Sequence, residues 1–350
     1  MNALDLDRTA WEDVVRGWGL PAFHGRQVYA ALWRRAAEYG EMTDLPGALR
    51  DRLAATFPLE AEVLAERTAD AGRTVKALLR FDRHTVEAVL MGYRDRVTVC
   101  VSSQAGCAMD CGFCATGRMG LLGNLSAGQI AGQLRWAMRA ARLLPGEPRR
   151  PTNVVFMGMG EPMSNYRGVS GAIARMLDPD GVNLAARHVT VSTIGVVPGI
   201  LRLARDHPQV GLAVSLHAAD DDLRTRLVPA NRFWPLAAIQ DAVEEWRSRT
   251  RRRPSVEWAM IRGVNDQEEQ ARLLGPIARR LRAHVNLIPM NHVEGSPWKP
   301  STPARMAAFV RVLESVGVNV TIRDTRGRRI QAACGQLRLE HEHDEQGVFV

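Results

Sequence analysis

Four of the chain's five cysteines fall in residues 100–117, CVSSQAGCAMDCGFCATG. Cys107, Cys111 and Cys114 form a C-x3-C-x2-C run, a spacing at which thiolates hold metal. An iron–sulfur cubane takes four ligands. This loop offers three, which leaves one iron open to a substrate or cofactor. A structural zinc site is closed by four protein ligands, and no nearby histidine or cysteine supplies the fourth. Cys100 and Cys334 stand outside the run. In VTVCVSS, Val97, Val99 and Val101 alternate with Thr98, Cys100 and Ser102, so a period of two predicts Cys100 on the polar face of a strand. Glu87 lies in the preceding β-rich run, HTVEAVLM. A turn over residues 92–95 would pair Met91 with Arg96 and set Glu87 directly opposite Cys100.

Such residues need a scaffold. From VTVCVSS onward, short β-rich runs alternate with helical ones: NVVFMGMGEP, HVTVSTIG, VGLAVSLHA, SVEWAMI, HVNLIPMN and NVTIRD. The helical segments between them are expected at 126–143, 165–177, 198–206, 236–249, 266–282 and 302–316. Strand then helix, repeated, predicts a parallel sheet with right-handed crossovers. The fold class is α/β, a partial (β/α)6 barrel. The polar residues fall where such barrels do their chemistry, at the C-terminal ends of strands. The expected domains are a helical N-terminal unit (1–57), whose first helix could be capped by Thr9, a β-rich connector (58–92), the barrel (93–340) and a polar tail (341–350).

Of 46 basic residues only Lys76 and Lys299 are lysine, leaving 44 arginines, and the formal net charge is +8. Arginine forks suit phosphate, so a nucleic-acid partner is compatible with the composition, as is a codon bias toward arginine. The basic run at 247–253 reads most simply as a solvated helix end. The run at 323–329, with Arg326 and Arg328, precedes Cys334 and is expected near a substrate. No apolar run reaches membrane-spanning length. The start of the chain lacks a signal-peptide plan, so a cytoplasmic location and reduced thiols are expected.

The cysteine run, with Phe113 before its last member, resembles the signature of radical S-adenosylmethionine enzymes. VCVSSQAGCAMDCGFCATG, VVFMGMGEPMSN, VTVSTIGVVPGI, AVSLHA, HVNLIPMN and AACGQL together resemble the RlmN-type adenine C2 methyltransferases of ribosomal and transfer RNA, from about residue 10 to 338. The resemblance implies a [4Fe–4S] cluster on Cys107, Cys111 and Cys114. It implies S-adenosylmethionine contacts from Gly160, Glu161, Ser192, Ser215, Leu216, His217 and Asn291. It also implies that Cys334 carries a methyl group from one S-adenosylmethionine. A second then provides a radical that activates this methyl for addition to adenine C2. Cys100 would release the product by forming a transient disulfide with Cys334, and Glu87 would accept the C2 proton. Implied partners are 23S rRNA and tRNA, with a flavodoxin-like reductant and a monomeric enzyme. Two alternatives stay open at this point: a Cfr-like enzyme acting at C8, and a non-catalytic iron–sulfur RNA-binding protein.

Overall fold

A computed structural model describes residues 2–59, 61–146, 148–290, 296–323 and 337. The chain opens with helices α1 (Arg8–Gly17), α2 (Phe23–Arg34) and α3 (Gly47–Thr56). The cap of α1 is Asp7, whose carboxylate accepts from the Ala10 backbone N–H at 2.8 Å, rather than Thr9, which lies inside the helix. Three antiparallel strands follow, β1 (Glu62–Ala69), β2 (Thr74–Phe81) and β3 (His84–Gly92).

β4 (Val97–Cys100) pairs antiparallel with β3 and begins the parallel series β7 (Asn153–Phe156), β8 (Val189–Thr193), β9 (Gly211–Ser215), β10 (Ser255–Met260), β11 (His284–Pro289) and β12 (Val320–Ile322). The described residues thus form one ten-stranded sheet, in which residues 62–92 continue the barrel strands. Between β4 and β7 lie a small hairpin, β5 (Gln104–Gly106) and β6 (Leu121–Asn124), helix α4 (Ala115–Arg118) between its strands, and then α5 (Ala127–Ala140). The remaining helices are α6 (Tyr166–Leu177), α7 (Val197–Asp206), α8 (Asp221–Leu227), α9 (Leu236–Thr250), α10 (Glu268–Arg280) and α11 (Pro303–Ser315).

Side chains alternate across a strand, and here the alternation sorts core from site. Val99, Phe156, Val191, Val214, Trp258 and Leu287 face the helices, in one core with Ile130, Ile200, Ile239 and Phe309. The intervening positions, Cys100, Ser192, Ser215, Glu257 and Asn286, point to the concave side. Registers align Ser215 with Glu257 and Glu257 with Asn286, and farther along the sheet Lys76 with Val89 and Val89 with Cys100.

Two expectations about Cys100 are corrected. The turn after β3 is Tyr93–Arg96, closed by Tyr93 N–H to Arg96 C=O at 2.8 Å, because Gly92 remains in its strand, bonded to Arg73 C=O at 2.7 Å. Moving a turn by one residue moves the register by two and leaves the faces unchanged. Cys100 is therefore opposite Val89, and Glu87 lies two positions along on the same face. Nor is that face polar around Cys100: the thiol packs with Val89, Met91, Val155 and Met157.

Candidate active site

The cysteine loop leaves β5 and returns through β6, so this hairpin is its clamp. Cys107 N–H donates to Gly120 C=O at 2.8 Å. Gly106 at the pinch has φ +75°, and a Cβ there would stand 2.0 Å from the Gly120 oxygen, so only glycine fits. Cys107, Cys111 and Cys114 line one cavity of about 240 Å³ together with Phe113, Gly160, Glu161, Ser192, Ser215, His217, Glu257 and Arg323. These residues come from the exits of successive strands. Leu216 is buried in the core instead, its N–H donating to Glu257 C=O at 3.1 Å. Asn291, Arg326, Arg328 and Cys334 lie outside the described residues.

Gly160 adopts φ +96°, and a Cβ would meet the Gln104 side chain at 2.5 Å. That close approach lets Gln104 accept from Glu161 N–H at 2.8 Å while donating to Asn124 at 2.7 Å, joining the β7 exit to the cysteine hairpin. The Glu161 carboxylate accepts from Met163 N–H at 3.0 Å and from Ile194 N–H at 2.9 Å, fixing the β8 exit as well. Burial pushes its pKa up to about 7, against the lowering effect of those donors. Ser192 and Ser215 bring their hydroxyls within 3.4 Å.

His217 stands at φ +60°, a conformation non-glycine residues seldom adopt. It is held there from both sides. Its Nδ1 accepts from Ala259 N–H at 3.0 Å, and its C=O accepts from Asn265 at 2.8 Å. Burial first, then the charge of Arg224, lowers its pKa to about 3, so the ring is neutral, with Nδ1 as acceptor. The edge-to-face contact with Phe113, centroids 4.7 Å apart, ties it to the cysteine loop.

Several supports were not foreseen from the sequence. Arg224 is fully buried and donates to the carbonyls of Leu216 (3.1 Å) and Ile194, and to Asn231 (2.6 Å), bracing two strand exits. Glu257, its pKa raised by burial, accepts from Asn286 at 2.7 Å and Ser255 at 2.9 Å. Lys76 and Glu87 form an ion pair at 3.0 Å with both side chains completely buried. The one available signal was that Lys76 is one of two lysines in an arginine-rich chain. Ser102 fixes the neighbouring register, its hydroxyl donating to Glu87 C=O at 2.6 Å and accepting from Met159 N–H at 2.8 Å.

The donor set fits an iron–sulfur cluster. Burial raises the Cys107 thiol to about 12 and Cys111 well above its ordinary value, and the charge of Cys114 raises both further. Three converging thiols, Cys107 and Cys111 buried and Cys114 half-buried, need a cationic group to exist together as thiolates. Among the described residues, no group of three His, Cys, Asp or Glu side chains suits a single metal ion. A cubane spreads its thiolates over separate irons, which matches three cysteines and, among the described residues, no fourth cysteine lining the cavity.

Residues 101–274 match the family model of the radical SAM superfamily. A relative from Thermobifida fusca, named "Probable dual-specificity RNA methyltransferase RlmN", is 49% identical, with 95% of this chain and 93% of the relative aligned. A protein of the same name from Mycolicibacterium paratuberculosis is also 49% identical, over 96% of this chain and 94% of the relative. The crystal structure of a radical SAM methyltransferase from Sphaerobacter thermophilus superposes with a TM-score of 0.92 at 43% identity, covering 96% of this chain and 98% of that one. The fold is thus shared with that methyltransferase over nearly its whole length, and the chain belongs to the RlmN family of radical S-adenosylmethionine RNA methyltransferases.

Proposed function

We propose that this chain methylates C2 of adenine in 23S rRNA and in tRNA, with Cys334 as methyl carrier and Cys100 as the thiol that frees the product. The observation that carries this reading is Cys100 itself. It stands on the concave face of β4, packed against Met157, which lines the same cavity as the three loop cysteines. A thiol there is near the reaction without being part of the metal run.

A [4Fe–4S] cluster bound through Cys107, Cys111 and Cys114, with S-adenosylmethionine, supplies the hydrogen-atom abstraction that an unreactive methyl group needs. Around it, Gly160 admits the cofactor close to backbone, Ser192 and Ser215 offer hydroxyls, and neutral His217 offers its Nε2–H as a donor. Glu161 can ionise against a cationic ligand, since its pKa near 7 leaves it balanced between forms. Glu87 accepts the C2 proton, fixed for that task by Lys76. The Cys100 thiolate then attacks the sulfur of Cys334. The carbon–sulfur bond breaks with its electron pair passing to the carbon and the adenine ring, the carbon takes up a proton to become the methyl group, and a Cys100–Cys334 disulfide forms that a flavodoxin-like reductant, or a thiol, must reopen.

Cys100→Ala should therefore accumulate a covalent protein–RNA adduct, seen as a slow band on a denaturing gel. The added substitution Cys334→Ala should remove it. Absence of the adduct from the single variant would exclude Cys100 as the resolving thiol. Mass mapping of RNA from cells with and without the gene should find 2-methyladenosine lost from both pools; loss of 8-methyladenosine instead would move the enzyme to the Cfr-like reaction.

A further inference from the structure

The opposite end of the barrel carries a second chemistry. Three helix-to-strand turns meet there: α9 into β10, α10 into β11 and α11 into β12. They enclose a cavity of about 690 Å³ lined by Arg247, Arg251, Arg252, Arg253, Arg279 and Arg282. No acidic side chain lines it, and none of the six arginines forms an ion pair among the described residues. The contrast with the flank of the same helices is direct. Arg249 pairs with Glu245 at 2.6 Å, and Arg280 pairs with Asp241 at 2.7 Å and Glu244 at 3.0 Å.

Arginines at helix ends can simply answer the backbone carbonyls there. Arg253 does so, donating to Ala283 C=O at 3.2 Å. Arg247 and Arg252 do not: each has its Nε buried and without a hydrogen-bond partner. An anion seated among the six would meet guanidinium charge that no acid lining the cavity balances among the described residues. The local field points the same way, because the charge of Arg253 adds to burial in lowering the pKa of His284 at the start of β11.

We propose that this arginine basin is a second RNA-binding site, which takes backbone phosphates of a substrate whose target adenine sits at the far end of the barrel. The proposal rests on the RNA-methylating reading above and deepens it. The two sites open at opposite ends of β10: Arg253 stands just before the strand and Glu257 four residues along it, so about 13 Å of strand separates the basin from the floor of the mouth. A short stem-loop inserted at the catalytic mouth cannot also reach the basin, whereas a folded RNA that extends past the barrel's flank can. Recognition is by phosphate, so the basin adds affinity and orientation without reading sequence.

The test compares the cofactor-loaded full-length enzyme with the triple variant Arg247→Gln, Arg252→Gln, Arg279→Gln on two RNAs. One is a minimal stem-loop carrying the target adenine; the other is a large folded fragment containing the same stem-loop. Each phosphate that the basin no longer neutralises should flatten the dependence of log affinity on log salt by about 0.7–0.9. On the large RNA the variant's slope should be shallower by about 2, so between 50 and 200 mM salt it loses roughly fifteenfold less affinity than the wild type. On the stem-loop the slopes should coincide and methylation should proceed at the wild-type rate. Equal slopes on the large RNA would overturn the proposal, as would a melting temperature raised by tripolyphosphate in the wild type alone with equal RNA slopes, which would assign the basin to a small anion. Should the triple variant not fold, Arg279→Gln and Arg282→Gln, both on exposed side chains, give the same comparison at about one slope unit. Failure of the wild type to methylate either RNA would instead count against the proposed reaction while leaving the slopes readable.

Discussion

The two ends of the barrel handle charge in opposite ways. At the catalytic mouth the ionisable groups are buried and bonded: Glu161 between two backbone donors, Arg224 among carbonyls, His217 against Ala259, and Glu87 with Lys76. At the base, six arginines surround one cavity with no acid among its described lining residues. Groups held by many bonds are preorganised and expensive to disturb. Cations without an acidic partner, such as the exposed Arg279 and Arg282, contribute little to folding and are available to a ligand. The mouth should thus answer substitution in stability and chemistry, the base in binding.

The largest expected effect is at the cysteine run. Cys111→Ala should abolish cluster absorbance and methylation together, measured by visible spectrum and by methyl incorporation, yet leave the salt slope for large RNA unchanged. A changed slope would join the two ends functionally and break the comparison. Next comes Lys76→Met. Removing one partner of a completely buried ion pair typically costs about 3–5 kcal/mol, because the other charge is stranded. Lys76→Met paired with Glu87→Leu should recover most of that loss in denaturant unfolding, without recovering activity.

A third test sets two mouth residues against each other in the cluster-free protein. His217 has its pKa lowered to about 3. The unfolded chain takes up a proton below about pH 6.5 that the folded chain refuses, so this contribution to stability is lost as pH falls. Glu161 has its pKa raised to about 7. Its folded form keeps a proton that the unfolded chain gives up above about pH 4.5, so its effect is to reduce stability as pH rises toward 7. Between pH 5 and 6 the two slopes oppose, each approaching about 1.4 kcal/mol per pH unit, and largely cancel. Glu161→Gln should leave stability rising with pH across this window, and His217→Asn should leave it falling. Parallel shifts in both variants would show that these groups do not hold the protonation states assigned to them.

Much of the mouth was legible because its residues follow elements with strong periods. The helices expected at 165–177, 236–249 and 302–316 are Tyr166–Leu177, Leu236–Thr250 and Pro303–Ser315. The strand exits carrying Gly160, Ser192 and Ser215 line one cavity. What stayed hidden depends on contacts between segments far apart in sequence. Finding that Val89 rather than Glu87 stands opposite Cys100 needed the turn to within one residue, and Gly92 is held in its strand by Arg73, a neighbour that hairpin spacing ignores. The Lys76 pairing spans two strands. The basin was illegible for a simpler reason: 247–253 looks like one solvated helix end until Arg279 and Arg282, from another turn, arrive beside it.

The smallest expected effect is the sharpest discriminator between the ends. Arg279 is exposed and has no acidic partner among the described residues, so Arg279→Gln should change stability by no more than about 0.5 kcal/mol, as exposed substitutions usually do. Two opposing influences set its sign. At a helix C-terminus a cation is favourable by about 0.3–1 kcal/mol at low ionic strength, while neighbouring arginines repel it. Both are screened, but repulsion summed over several like charges reaches farther than one helix end, so added salt should stabilise the wild type more than the variant. Unfolding followed at low and at high salt would show the two curves converging from the variant's side. A loss on the scale of Lys76→Met would mean that the base is built like the mouth, with its arginines serving the fold.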